Sequence, residues 1–138
     1  MLQDETSRER AGDDGHIAPS APALEIANAI ARLHKDYIGR GPTNSRTTID
    51  GDLVVVLLEG GITRAEQTLD DSARRDLVLA GRAGLQDAMR AELIGVVERV
   101  LGRRVHSFMS ANDLARNLQS EVFVLEPAPA PPHASPGR

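Results

Sequence analysis

The stretch RTTIDGDLVVVLLE, residues 46–59, decides the fold of this chain. Its two β-prone runs flank Asp50-Gly51, and an Asp-Gly pair between such runs is the strongest short-range signal for a β-hairpin. The second run, Leu53 to Glu59, is apolar at nearly every position, whereas a strand with one solvated face would alternate apolar and polar residues. The sequence therefore predicts a hairpin whose second arm is a central strand of a sheet.

Helical patterns lie on both sides of this hairpin. Apolar residues recur at helical spacing from Ala23 to Ile38, and Gly39 is a C-terminal stop signal. After the hairpin, the segment TRAE at 63–66 has the pattern of a capping box, in which the Thr and Glu side chains bond each other's backbone N–H groups. It predicts a short helix that ends near Leu69.

A long helix is predicted next, from Ser72 to Leu101. Gly81 and Gly84 weaken it, so we expect a break or kink near them. Three further segments follow, namely a strand at 104–110, a turn or loop at 111–119, and a strand at 120–126.

The order helix-strand-strand therefore occurs twice. The helix ends also match, because IGR at 38–40 corresponds to LGR at 101–103, which favours an internal duplication. The simplest architecture is an α+β fold, a four-stranded antiparallel sheet with the helices packed on one face. The strands are apolar enough that the other sheet face needs cover, and we expect a homodimer to supply it.

The length of 138 residues allows one domain. We assign it to residues 22–126. The segments 1–21 and 127–138 are rich in charged residues or in Pro and Ala, lack periodicity, and are predicted to be disordered tails.

Composition excludes several classes of function. The chain has no Cys, and this excludes disulfide frameworks and thiolate metal sites. It also has no Trp. With 16 basic and 20 acidic residues, and only one Tyr and two Phe, neither a basic nor a stacking surface for nucleic acid is expected. No apolar run is long enough to span a bilayer and no secretory signal is seen, so we expect a cytoplasmic protein without membrane insertion.

The most distinctive segment for binding is GRGPTNSR, residues 39–46. Arg40 and Arg46 could donate to an anion such as bicarbonate, phosphate or a partner's carboxylate, while Gly41 and Thr43 add backbone and hydroxyl donors. The competing interpretation is an ordinary helix-to-strand turn whose arginines pair with local carboxylates. The segment is no phosphate-binding P-loop, because the lysine and the glycine spacing are missing.

Nothing in the sequence favours catalysis. His34 and His106 are isolated, and a metal site would need carboxylates that the fold brings to them. There is no nucleophile motif and no cofactor fingerprint, so no enzyme activity, metal or cofactor is expected.

Several motifs carry a family resemblance. They are IANAIARLHKDYIGRGPT at 26–43, DLVVV at 52–56, the capped segment at 62–69, QDAM at 86–89 and EVFVLE at 121–126. In order and spacing they resemble the MpsC-like domain family, which is named after a sodium-translocating, membrane-potential-generating system. The resemblance covers about Leu24 to Pro127, and the loop at 111–118 departs from the family pattern.

The resemblance implies a non-enzymatic accessory or regulatory subunit linked to a membrane ion or bicarbonate transport system, with a membrane transporter subunit as partner. It supplies no catalytic residues. The alternative is a binding module that senses a small anion or nucleotide through the turn from Arg40 to Arg46. A thermal shift on ligand addition would separate the two.

Overall fold

The computed structural model describes residues 19–128. Its elements are α1 (Ala21–Ile38), β1 (Asn44–Asp50), β2 (Leu53–Glu59), α2 (Arg64–Asp71), α3 (Arg75–Leu101), β3 (Val105–Asp113), a 3-10 turn (Leu114–Arg116) and β4 (Leu118–Leu125). The predicted tails, 1–21 and 127–138, lie outside the described residues except for 19–21 and 127–128.

The four strands form one antiparallel sheet in the order β1-β2-β4-β3. The predicted hairpin is confirmed, but its two-residue turn is Gly51-Asp52 and not the predicted Asp50-Gly51, because Asp50 still belongs to β1 and pairs with Leu53. The first turn residue, Gly51, has a φ of 60°, in the left-handed region that glycine enters without strain. β2 has a partner on each side, so its prediction as a central strand is also confirmed.

The two long helices pack on one face of the sheet and enclose an aliphatic core. Residues of α1 and α3 meet inward-facing residues of β2 and β4, namely Ile26, Ile30, Met89, Leu93, Val54, Val56 and Phe123, each 0 % exposed. The predicted α+β class, with helices on one face of a four-stranded antiparallel sheet, is therefore confirmed.

The long helix differs from its prediction. α3 runs without a break through Gly81 and Gly84, both of which lie on its exposed side. The predicted separation from the preceding short helix is present, but α3 begins at Arg75 and not at Ser72, because Ala73 adopts a φ of 61° between α2 and α3. Two glycines cost a helix only about 1 kcal/mol each, and packing of the buried stripe on the sheet outweighs that cost.

The predicted loop at 111–119 is also wrong in extent. β3 continues to Asp113 and β4 already begins at Leu118, with the single 3-10 turn between them. Asn117 closes the turn in the left-handed conformation, with a φ of 55°. Cross-strand pairing of polar residues, such as Asn112 with Gln119, extends the sheet where residue preference alone favours a loop.

Candidate functional site

A cluster of buried polar side chains lies between the helices and the sheet. It comprises His34 from α1, Arg82 and Gln86 from α3, and Gln119 and Glu121 from β4, each at most 6 % exposed. Burying such groups is costly unless each finds a hydrogen-bond partner. Each of these residues occupies a position on the buried face of its helix or strand, which is why its side chain lies between the helices and the sheet.

Glu121 is the centre of the cluster and is 0 % exposed. Its Oε2 atom lies 2.9 Å from Gln119 Nε2, 3.1 Å from Gln86 Nε2 and 3.1 Å from His34 Nε2. The Ser110 hydroxyl of β3 donates to the other carboxylate oxygen, Oε1. Amide and hydroxyl donors from α3, β3 and β4 thus surround a carboxyl group that has no access to solvent.

His34 joins α1 to this carboxyl group. Its Nδ1 atom lies 2.9 Å from the carbonyl oxygen of Ile30, and because a carbonyl only accepts, Nδ1 carries a hydrogen. Its Nε2 atom faces one acceptor, Glu121 Oε2, and one donor, Gln119 Nε2 at 3.2 Å. The ring can therefore bond within the cluster whether Nε2 is protonated or not.

Arg82 connects the cluster to the capping box of α2. Its Nε and Nη2 atoms donate to the two carboxylate oxygens of Glu66 at 2.7 and 2.6 Å, a bidentate pair. Nη1 donates to Gln119 Oε1 at 2.8 Å, and Nη2 also donates to the carbonyl oxygen of Gly61 at 2.9 Å. Each of the three guanidinium nitrogen atoms is thus bonded, and the side chain is only 3 % exposed.

The predicted capping box is present, with Thr63 Oγ1 accepting from the Glu66 N–H and Glu66 Oε1 accepting from the Thr63 N–H. Partial burial acts to raise the pKa of the Glu66 carboxyl. The bonds from Arg82 and Thr63 act to lower it, and together they prevail, so its pKa lies below the usual value. Glu66 is therefore held ionised as the counter-charge of a buried arginine.

A cavity of about 10 Å³ adjoins the cluster, which is room for about one water molecule. Its lining includes His34, Arg40, Arg82, Asn117 and Gln119. Within residues 19–128, no group of three or more His, Asp or Glu side chains is arranged to hold a metal ion. The arrangement fixes the helices to the sheet beside this small cavity, which apolar side chains such as Ile38, Leu58 and Ile62 also line.

The predicted turn residues lie next to this cavity, at the end of the sheet where α1 returns to β1. Arg40 donates through Nε to the carbonyl oxygen of Gly60 at 3.1 Å. Thr43 donates to the carbonyl oxygen of Glu59 through its backbone N–H at 2.7 Å and its hydroxyl at 3.2 Å. A Cβ added at Gly41 would lie 3.4 Å from Lys35 Cβ. These groups thus secure the turn against the end of β2.

Arg46 is placed elsewhere. It belongs to β1, where Ser45 donates to the carbonyl oxygen of Ala27 in α1 and Thr47 is buried, so both face the helices. Because side chains alternate along a strand, exposed Arg46 extends from the opposite face of the sheet. The structure therefore does not bring the Arg46 side chain together with Arg40.

Sequence reasoning missed the buried cluster, although a signal for it existed. His34 follows Ile26 and Ile30 at intervals of four, and Glu121 shares the strand phase of Phe123. A polar residue in register with a buried stripe predicts a buried polar group. The sequence does not predict which of these polar side chains contact each other, since 87 residues separate His34 from Glu121.

Comparison with known proteins adds a family. The sequence model of the family described as "Na+-translocating membrane potential-generating system (MpsC)" matches residues 23–127. The uncharacterized protein YbcI of Bacillus subtilis (strain 168) is 33 % identical over 111 residues, which cover 69 % of this chain and 90 % of that protein. The uncharacterized protein YrhF of the same organism is 26 % identical over 104 residues, covering 74 % and 85 %. No solved structure gives a significant match.

Proposed function

Because the chain belongs to the MpsC family, we propose that it is a non-enzymatic accessory or regulatory subunit of a membrane system that moves ions or bicarbonate and generates a membrane potential. The family match over residues 23–127 is the observation that carries the proposal. The proposal places the protein in the cytoplasm, against a transporter subunit.

The helices support a role beside a transporter. No helix among residues 19–128 is long and apolar enough to cross a membrane. The apolar stripes of α1 and α3 already pack on the sheet, through residues such as Ile30 and Leu93. Ion passage is therefore assigned to the partner, and this chain acts on it by contact.

The contact surface in this proposal is the end of the sheet that carries Arg40, Gly41 and Thr43. Arg40 is exposed, and only its Nε is bonded within the described residues, to Gly60. An exposed guanidinium with free N–H groups suits a carboxylate of a partner protein. Arg46 extends from the other sheet face and would meet a different surface.

The test is recovery of the tagged chain from gently solubilised native membranes, followed by mass spectrometry. We expect a membrane transporter subunit in near-stoichiometric amount, and about tenfold less of it with Arg40→Ala. Arg104→Ala is the matched control, because its side chain is 80 % exposed and precedes β3 at the other end of the sheet. Recovery of the chain without any membrane protein would refute the proposal.

The alternative, a sensor of small anions or nucleotides, is favoured by one observation. Arg40 is exposed and only its Nε is bonded within the described residues, so its other N–H groups are available to an anion in solvent, outside the one-water cavity. A ligand at 100 times its dissociation constant stabilises a native protein by about 2.7 kcal/mol. A rise in melting temperature with bicarbonate, phosphate or a nucleotide, absent in Arg40→Ala, would support this function instead.

A further inference from the structure

The helix-free face of the sheet has no part in the proposed function. On β2, Val54, Val56 and Leu58 are buried against the helices. Side chains alternate along a strand, so Leu53, Val55 and Leu57 lie on the other face. Among residues 19–128, no helix covers that face.

Strand pairing arranges this face as four cross-strand rows, each read from β1 through β2 and β4 to β3. The rows are Asp50, Leu53, Val124 and Ser107; Thr48, Val55, Val122 and Met109; Arg46, Leu57, Ser120 and Ala111; and Asn44, Glu59, Leu118 and Asp113. In the first three rows, the residues on β2 and β4 are apolar except Ser120. The charged residues of these rows lie on β1.

This pattern is unusual for a solvated sheet face. Antiparallel sheets with one wet face normally carry polar residues on it. Here Leu53 is 41 % exposed and Met109 is 52 % exposed, beside half-buried Val55 and Val122. A contiguous apolar patch with a polar rim marks an interaction surface.

We propose that a second copy of this chain covers the open sheet face, so that two sheets stack face to face in a symmetric dimer. The inference goes beyond the proposed function and does not depend on it. Two arguments select a second copy as the occupant, the size of the face and the distribution of charge along β1.

The size of the overlap matches a weak, reversible homodimer. The two-fold relation given below brings three of the four rows opposite each other, and four strands about 4.8 Å apart with three rows about 6.8 Å apart span about 400 Å² on each copy. Two copies together bury about 800 Å², which is below the size of stable interfaces and in the range of weak ones. Stacked sheets lie about 10 Å apart, a gap that valine, leucine and methionine side chains fill.

The charges on β1 are complementary to themselves. Arg46 and Asp50 lie on either side of Thr48, two residues away in each direction. Consider a two-fold axis that lies between the two sheets and runs parallel to the row of Thr48. This axis places β1 of one copy antiparallel to β1 of the other, so each Arg46 faces the Asp50 of the second copy. A self-complementary pattern of this kind is what an isologous interface requires.

The first test is sedimentation equilibrium of the full chain over a concentration series. We expect a reversible dimer, and for Val122→Lys a dissociation constant raised at least about 100-fold, because a buried lysine has no partner at the centre of the face. Leu24→Lys is the control, since Leu24 is 49 % exposed on α1 and its substitution leaves the dimer intact. A cooperative thermal transition must show that Val122→Lys is folded.

The second test reverses the charges. Arg46→Asp places two carboxylates opposite each other twice, and we expect the dissociation constant to rise about tenfold. Adding Asp50→Arg restores the pairs with the signs exchanged and restores the affinity. Arg46 and Asp50 are exposed, so we expect both variants to fold, and a cooperative thermal transition checks this. This test then stays informative if Val122→Lys does not fold.

Three results of these two tests would overturn the inference. They are a wild-type chain that remains monomeric at all concentrations, a dimer that tolerates Val122→Lys in a folded chain, and a double charge reversal that fails to recover affinity. Binding of phospholipid vesicles by the monomer, lost with Val122→Lys, would assign the face to a lipid surface instead and would equally overturn it.

Discussion

His34 and Glu121 lie 87 residues apart in the chain, and their Nε2 and Oε2 atoms are 3.1 Å apart at the centre of the domain. The first belongs to α1 and the second to β4, so the contact joins the first helix to the last strand. Side chains from α3 and β3 bond the same carboxyl group. A single carboxyl group therefore ties both long helices to the sheet.

Glu121→Gln is expected to destabilise the domain by about 1–3 kcal/mol. The amide has one acceptor oxygen where the carboxyl group has two. Either its NH₂ group faces the Gln86 and Gln119 donors, or it faces the Ser110 hydroxyl, which must then turn its own hydrogen away. Urea denaturation with constant m measures the loss. Glu25→Gln is the control, because Glu25 is exposed on α1. Equal midpoints for the two variants would contradict a structural role for the cluster.

Glu66 predicts how stability depends on acid. Its folded pKa lies below the ordinary value of 4.5, so the unfolded chain binds the proton more readily. The stabilisation it gives is therefore complete above that value and is lost as pH falls through the lower folded pKa. We expect Glu66→Gln to lose less free energy of unfolding between pH 7 and pH 3 than the wild type.

The measurement for Glu66 is a series of denaturation curves across this pH range. Glu25→Gln serves again as the control and should keep the wild-type slope. If the free energy of unfolding fell equally with pH in the wild type and in Glu66→Gln, the bond to Arg82 would not favour the ionised carboxyl group.

Adjacent glycines at the end of β2 should respond differently to alanine. Gly60 has a φ of 76°, and an added Cβ would clash with the Thr43 side chain at Oγ1. Gly60→Ala is therefore expected to cost more than about 1 kcal/mol. Gly61 has open space at the Cβ position, and Gly61→Ala should stay within about 0.5 kcal/mol of the wild type. Equal melting temperatures for the pair would contradict the observed packing of the turn.

Gly81→Ala and Gly84→Ala are expected to stabilise the protein. Both positions are helical and exposed, and a Cβ at either meets no atom within 4 Å. Alanine in a helix interior is favoured over glycine by about 0.5–1 kcal/mol, which raises the melting temperature by about 2–8 °C in a domain of this size. A lower melting temperature would instead indicate that α3 needs a flexible point here.

Much of the fold could be predicted because its signals are local. The hairpin turn, the capping box at Thr63 and the stop at Gly39 each depend on a few neighbouring residues. The error near Gly81 came from weighing glycine without the tertiary packing that holds α3. The polar run from Ala111 to Asn117 was interpreted as a loop because its pairing partner lies beyond it in the chain.

The candidate site was less accessible from the sequence. The pattern of GRGPTNSR identified a turn, but only strand alternation places Arg46 on the face opposite Arg40. The buried cluster could be predicted only by searching for polar residues that lie in register with the buried apolar residues of a helix or strand. Its members come from three elements, and tertiary pairing alone decides that they meet.

The sheet order also shapes the route by which the chain folds. β1 with β2, and β3 with β4, are sequence neighbours that can pair within microseconds as local hairpins. Joining them requires β2 to find β4, from Glu59 with Leu118 to Leu53 with Val124, across the whole of α2 and α3. Closing so long a loop is slow, so we expect this docking to limit the folding rate. Glu121 lies on the docking strand, and it therefore loses its water only in that last step.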